Sequence, residues 1–161
     1  RECWLLMALR DILAPDGVVL DLKARCKREA LSMLAEAASQ RTGCDVEAIR
    51  DALMEREQLG STGVGEGVAI PHGKIVGLSE IVGFLARLDT PIDFDAIDDE
   101  PVDLVFLLLA PADATAAHLK ALAKVSRLLR DESARAALRG AETSEALYAA
   151  ATATLARSNA A

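Results

Sequence analysis

Aromatic side chains are scarce, with one Trp, one Tyr and three Phe among 161 residues. A core built from this chain must therefore be aliphatic, and a large aromatic recognition surface is excluded. Basic residues are also in the minority: 18 Lys and Arg face 25 Asp and Glu, a formal net charge of −7. Such a balance repels polyphosphate backbones unless a basic patch overrides it. No patch of that kind occurs, so nucleic acid is not expected as a partner. The three cysteines, Cys3, Cys26 and Cys44, match no metal-ligand spacing and read as reduced thiols of a cytoplasmic protein. Long apolar runs are missing too. Leu104 to Ala112 is about half of the ~18 residues a membrane span requires, and Trp4 to Leu9 is too short for a signal-peptide core. No membrane insertion is expected. Met7 reads as the natural start, with residues 1–6 a tag or upstream extension, residues 7–156 one domain and residues 157–161 a disordered tail.

What the chain does have is alternating strand and helix signals. Val18 to Leu22 reads as a strand bounded by Pro15-Asp16-Gly17. A helix is expected from about Arg25 to Gln40, stopped at Gly43, and a second from Asp45, which offers an N-cap, to about Gln58, with Gly60 as its stop. Gly60 to Gly67 reads as a glycine-rich loop leading to the brief extended piece Val68-Ala69-Ile70. Ile81 to Leu88 and Val102 to Leu109 read as strands separated by an acidic loop, Asp93 to Glu100, and the unbroken apolar character of the second predicts burial on both faces. Helices are expected over Thr115 to Asp131, Ser133 to Leu138 and Ser144 to Leu155. Strands covered by helices on both sides predict an α/β fold, a three-layer αβα sandwich with a mixed β-sheet.

Only two histidines are present, which narrows the search for chemistry. His72 stands in Ile70-Pro71-His72-Gly73, read as a loop at a strand end that would present a nucleophile. A neutral imidazole is a good nucleophile near pH 7 and needs no metal to become one. The plain alternative is a histidine making a structural hydrogen bond. His118 shares a 3, 4, 3, 4 spacing with Thr115, Leu122, Val125 and Leu129, which places it on the core-facing stripe of the first turn of a helix. There it is either a buried histidine satisfied by a carbonyl or an aid to anion binding beside free backbone N–H groups. Arg56 continues the apolar stripe Val46, Ile49, Leu53 next to the glycine-rich loop, where a guanidinium is costly without an anion. It could equally cap its own helix or pair with Glu55, Glu57 or Glu66.

Two phosphate-binding motifs fail on inspection. Gly67 to Gly73-Lys74 is one residue too long for the NTPase loop, and Ile75 replaces its Ser or Thr. Gly63-x-Gly65 lacks the third glycine of a dinucleotide fingerprint, Val68 holding that position. Neither ATP nor NAD is supported, and two histidines 46 positions apart show no metal spacing. No cofactor and no metal are expected.

The segment Leu59-Gly60-Ser61-Thr62-Gly63-Val64-Gly65-Glu66-Gly67-Val68-Ala69-Ile70-Pro71-His72-Gly73 resembles the phosphorylation-site signature of the mannitol/fructose-type IIA domains of the bacterial phosphoenolpyruvate-dependent phosphotransferase system. Phe94-Asp95-Ala96-Ile97-Asp98, Pro101 to Phe106 and His118-Leu119-Lys120-Ala121-Leu122 extend the likeness over roughly residues 10 to 150. The resemblance implies a phosphohistidine at His72, a second active-site histidine at His118 and an active-site arginine at Arg56. It also makes Ser61, Thr62 and the backbone around Gly63, Gly65 and Gly67 candidates for holding the phosphoryl group. Within the family the wording is most like the nitrogen-regulatory IIA proteins, which implies an HPr-like (NPr) phosphocarrier and regulatory target proteins as partners. The alternative is a stand-alone fructose- or mannitol-type component passing phosphate to a IIB domain. Two readings from other classes are a binding module whose output never depends on phosphate and a metal-dependent hydrolase using His72 and His118. Glu66 departs from the family's usual neutral residue. The acidic loop and the apolar Val64, Val68 and Ile70 are expected to meet the carrier.

Overall fold

The computed structural model describes residues 9–160; the expected extension at 1–6, the expected start at Met7 and Cys3 lie outside them. The elements run α1 (Leu9–Ile12), β1 (Leu13–Leu22), α2 (Lys27–Thr42), α3 (Val46–Leu59), β2 (Gly63–Gly65), β3 (Val68–Ala69), β4 (His72–Ile75), β5 (Val82–Ile92), β6 (Val102–Pro111), α4 (Thr115–Arg130), α5 (Glu132–Gly140) and α6 (Ser144–Ala160). The sheet order is β1-β5-β6-β3-β2, with β4 also pairing β6. β1 is parallel to β5, β6 is antiparallel to β5, and β3 and β4 are both parallel to β6. The sheet is therefore mixed.

β6 is central, and its side chains alternate between two cores as the pleat requires. Val105, Leu107 and Leu109 join one apolar cluster with Leu31, Leu34, Ile49 and Leu53 of α2 and α3. Leu104, Phe106 and Leu108 join the other with Val125, Leu128, Leu138 and Leu147 of α4, α5 and α6. Helices thus cover both faces, which is the three-layer sandwich the element pattern predicts. The aliphatic composition has the expected result: among the described residues, Phe94 and Phe106 are the only aromatics of the largest fully buried side chains.

Local signals hold well at the helix ends. Asp45 accepts a hydrogen bond from the Ala48 N–H at 3.1 Å as the N-cap of α3, and Gly43 ends α2 at φ 77°, a left-handed conformation that glycine adopts without steric cost. Three expectations need correction. β1 begins at Leu13, before Pro15, because the chain absorbs Pro15-Asp16-Gly17 in a register irregularity between Leu13 and Val18, and β1 is an edge strand where a missing N–H breaks no ladder. The glycine-rich loop is a β2–β3 hairpin whose two-residue turn, Glu66 at φ 60° and Gly67 at φ 77°, has the doubly left-handed form that matches strand twist. At the other end, α6 continues to Ala160 where a disordered tail from residue 157 was expected; no Gly or Pro interrupts that segment.

Candidate functional site

The strand β4 carries the first functional side chain. β3 and β4 lie along β6 with one constant offset, Val68 facing Leu104 and His72 facing Leu108, and the Pro71 carbonyl accepts from the Leu108 N–H at 3.0 Å. His72 is thus the first residue of a strand, not a member of a free loop. The loop expectation failed because a four-residue strand opening on His-Gly carries no β-propensity signal. Its pairing with β6 makes the strand.

His72 is half-buried, and its Nδ1 lies 2.8 Å from the Ile70 carbonyl oxygen. A carbonyl can only accept, so Nδ1 carries the proton and the lone pair is on Nε2. The structural hydrogen bond and the nucleophile are therefore compatible: the first fixes the tautomer that the second needs. Burial pushes the His72 pKa down and the Arg56 charge adds to this, while the Ile70 carbonyl and Glu57 oppose them. The neutral, nucleophilic ring is favoured.

α4 brings the second histidine to the first. The rings of His72 and His118 meet edge to face, centroids 5.6 Å apart and inclined by 61°. His118 is 5% exposed, and its Nδ1 is buried with no hydrogen-bond partner. Burial first, then the His72 and Lys74 charges, depress its pKa to about 4, so the ring is neutral at pH 7. An Nδ1 without an acceptor is better left unprotonated, which puts the His118 proton on Nε2 as a donor.

The two histidines share an open cavity of about 450 Å³ with Arg56 and Leu59 of α3, Lys74 of β4, and Thr115 and Leu119 of α4. The three residues singled out as nucleophile, second histidine and arginine thus converge. Arg56 is half-buried and donates to the Gly60 carbonyl at 2.9 Å, the helix-capping alternative, while still lining the cavity. Lys74 and Thr115 escaped the sequence reading. Their Nζ to Oγ1 hydrogen bond of 2.8 Å joins segments 41 positions apart, and strand alternation from His72 was the only signal for Lys74.

The glycine-rich candidates do not line this cavity. The Ser61 hydroxyl donates to the Phe94 carbonyl at 2.5 Å, and the Thr62 hydroxyl donates to the Glu57 carboxylate. Gly63, Gly65 and Gly67 belong to the hairpin, where the Gly67 carbonyl accepts from the Asp103 and Leu104 N–H groups. Their conformations serve the turn: the Glu66 N–H donates to Asp98 and the Glu66 carbonyl accepts from Arg139, which also pairs with Asp103. Glu66 itself sits at this turn and is absent from the cavity lining.

In the sequence Glu57 is marked only as a possible partner for Arg56; in the fold it does more. It is 7% exposed, accepts from the Thr62 N–H at 3.1 Å and pairs with Lys27 at 3.2 Å. Burial works against the Lys27 ammonium, but its bonds to Asp95 and Glu57 outweigh this and raise its pKa. This network ties α2, α3 and the loop after β5 to the turn that bears Gly60. Of the apolar carrier contacts expected, Val68 and Ile70 are buried core residues, at 1% and 3% exposure; the exposed apolar side chains at the cavity are Leu59 and Leu119.

Among the described residues no group of three or more His, Cys, Asp or Glu could hold a metal ion, and no helix is long and apolar enough to cross a membrane. Comparison with known proteins gives the chain's relatives. Residues 11–152 match the family model for the phosphoenolpyruvate-dependent sugar phosphotransferase system, EIIA 2. A nitrogen regulatory protein of Bradyrhizobium diazoefficiens is 50% identical over 142 residues, 88% of this chain and 93% of its own. The crystal structure of nitrogen regulatory protein IIA-Ntr from Neisseria meningitidis superposes with a TM-score of 0.85 at 34% identity, over 89% of this chain and 99% of that one. Escherichia coli IIA mannitol, at 22% identity and a TM-score of 0.70 over 84% and 96% of the two chains, shares the fold.

Proposed function

The chain belongs to the EIIA 2 family of the phosphoenolpyruvate-dependent sugar phosphotransferase system, and from that premise we propose that it is a nitrogen-regulatory IIA protein whose His72 accepts a phosphoryl group from an HPr-like carrier. Its phosphorylation state then governs its binding to regulatory target proteins. The observation that carries this reading is the setting of the His72 ring: Nδ1 is committed to the Ile70 carbonyl, and the other nitrogen is left for a cavity shared with His118 and Arg56.

The transfer is an in-line displacement between two imidazoles. The lone pair on His72 Nε2 forms the new N–P bond as the bond from phosphorus to the donor ring nitrogen breaks, its electron pair staying on that nitrogen. The donor ring, protonated on its second nitrogen, leaves as neutral imidazole. His72 keeps its Nδ1 proton and becomes an N-phosphoryl imidazolium, whose charge the Ile70 carbonyl stabilises. No external acid or base is needed, so the protein contributes position and charge. Arg56 is suited to the phosphoryl oxygens as a planar donor, and His118 as a neutral N–H donor.

Names of relatives support the nitrogen-regulatory branch over sugar uptake. The test is phosphotransfer with purified phosphorylated HPr-like carrier, followed by addition of a sugar-specific IIB domain. Acid-labile, base-stable label on His72 that a IIB domain does not drain is expected. Absence of label overturns the phosphoryl-relay reading, and rapid drainage to IIB overturns the branch.

A further inference from the structure

His72 and Lys74 are alternate residues of β4 and therefore point to the same face of the sheet, about 6.6 Å apart along the strand. Gly73 between them faces the other way, against Ala52 of α3. On the shared face lies α4, which receives both: His72 meets His118, and Lys74 donates to Thr115 in the same first turn. Lys74 and Arg56 are the two cations in the cavity lining. They come from different elements, Arg56 from α3 and Lys74 from β4. The Arg56 charge acts on His72 and the Lys74 charge acts on His118.

Arg56 is held by the Gly60 carbonyl. Lys74 is exposed, on a flexible stem, with a neutral hydroxyl as its partner. An ammonium hydrogen-bonded to a hydroxyl gains much less than one bonded to a doubly charged phosphoryl group. A short rotation about its side-chain torsions carries Nζ from Thr115 toward the group on the neighbouring His72, and the lysine chain is long enough to span one strand repeat.

We propose that Lys74 is a phosphoryl ligand, exchanging its bond to Thr115 for one to the phosphoryl group on His72, and that it sets how far transfer from the carrier runs. This rests on His72 being the phosphoryl acceptor. The role differs from that of Arg56, whose guanidinium is already held by the Gly60 carbonyl. Lys74 is engaged once the group has arrived, so it acts on the equilibrium. In a regulatory protein that equilibrium is the quantity of interest, because it decides what fraction of molecules carries the charge.

The experiment compares wild type with Lys74→Gln and Lys74→Arg. Two measurements are made: the phosphotransfer equilibrium constant with the HPr-like carrier, approached from both directions, and the phosphorus NMR titration of the isolated phosphorylated protein. The second involves no docking. With Lys74→Gln the equilibrium should shift roughly 10-fold toward the carrier, and the titration midpoint of the phosphoryl group should rise by about one pH unit. Lys74→Arg should restore most of both, and unfolding midpoints should coincide for all three proteins. Equal equilibrium constants and equal midpoints in wild type and Lys74→Gln overturn the proposal while leaving His72 phosphorylation intact. If wild type takes up no phosphoryl group, the parent reading fails instead.

Discussion

The imidazole of His118 presents its ring to that of His72 at 5.6 Å, while its own Nδ1 is buried without a partner. A ring held this way has a strong preference for neutrality, and stability should register it. The His118 pKa is about 4 in the folded protein against an ordinary 6.5, so the unfolded chain binds the extra proton over the interval between them. Stability from this group is complete above pH 6.5 and is lost as pH falls toward 4. Melting temperatures of wild type and His118→Asn across that range should converge on acidification, the variant losing less. Parallel pH profiles for the two proteins would contradict it.

Removal of the acceptor gives the simplest outcome. His72→Ala should abolish phosphoramidate formation and leave the circular dichroism spectrum unchanged, since His72 is half-buried and outside both apolar clusters. Label at wild-type stoichiometry in the variant would place the acceptor elsewhere.

Arg56→Ala and His118→Ala should each slow transfer by roughly 10- to 100-fold without removing the acceptor, as loss of a charge-stabilising donor does. Single-turnover phosphotransfer measures this directly. Rates within twofold of wild type for both would mean that neither touches the transferring group.

The Glu57 network is a question of stability. Glu57→Ala leaves the Thr62 hydroxyl and amide without an acceptor in a buried place and removes the more buried of the two carboxylate partners of Lys27. A loss of about 2–4 kcal/mol is expected from urea denaturation. A cost below ~0.5 kcal/mol would show that water or Asp95 replaces Glu57.

Carrier docking should depend on the apolar rim. Leu59 and Leu119, 85% and 61% exposed at the cavity, should each raise the carrier concentration needed for half-maximal transfer when changed to Glu, with no loss of thermal stability. Unchanged transfer kinetics in the double variant would remove this face from the interface.

Much of this architecture is legible in the residues. Helix ends follow from Asp45 and Gly43, and the central strand from the unbroken apolar run Leu104 to Ala110, because those signals are local and strong. The convergence of His72, His118 and Arg56 is legible through helical spacing together with family wording. That Ser61 and Thr62 stand away from the cavity is not legible, because a hydroxyl beside glycines looks the same in sequence whether it awaits an anion or bonds within the fold; their partners, the Phe94 carbonyl and the Glu57 carboxylate, reach them only in the fold. Lys74 was missed for the converse reason. Its importance comes from parallel pairing with β6 and the docking of α4, neither of which leaves a mark within its own neighbourhood of sequence.

The uninterrupted offset by which β3 and β4 track β6 has a further consequence. His72 opens a strand paired to the central strand β6, so the amide hydrogens of the segment 72–75 that bond to β6 should exchange slowly with solvent. On the proposed function, the two forms of this protein differ at that ring, which the pairing with β6 holds in place. On that reading a target would tell the two forms apart by whether its own surface tolerates or repels an extra dianion at a fixed point.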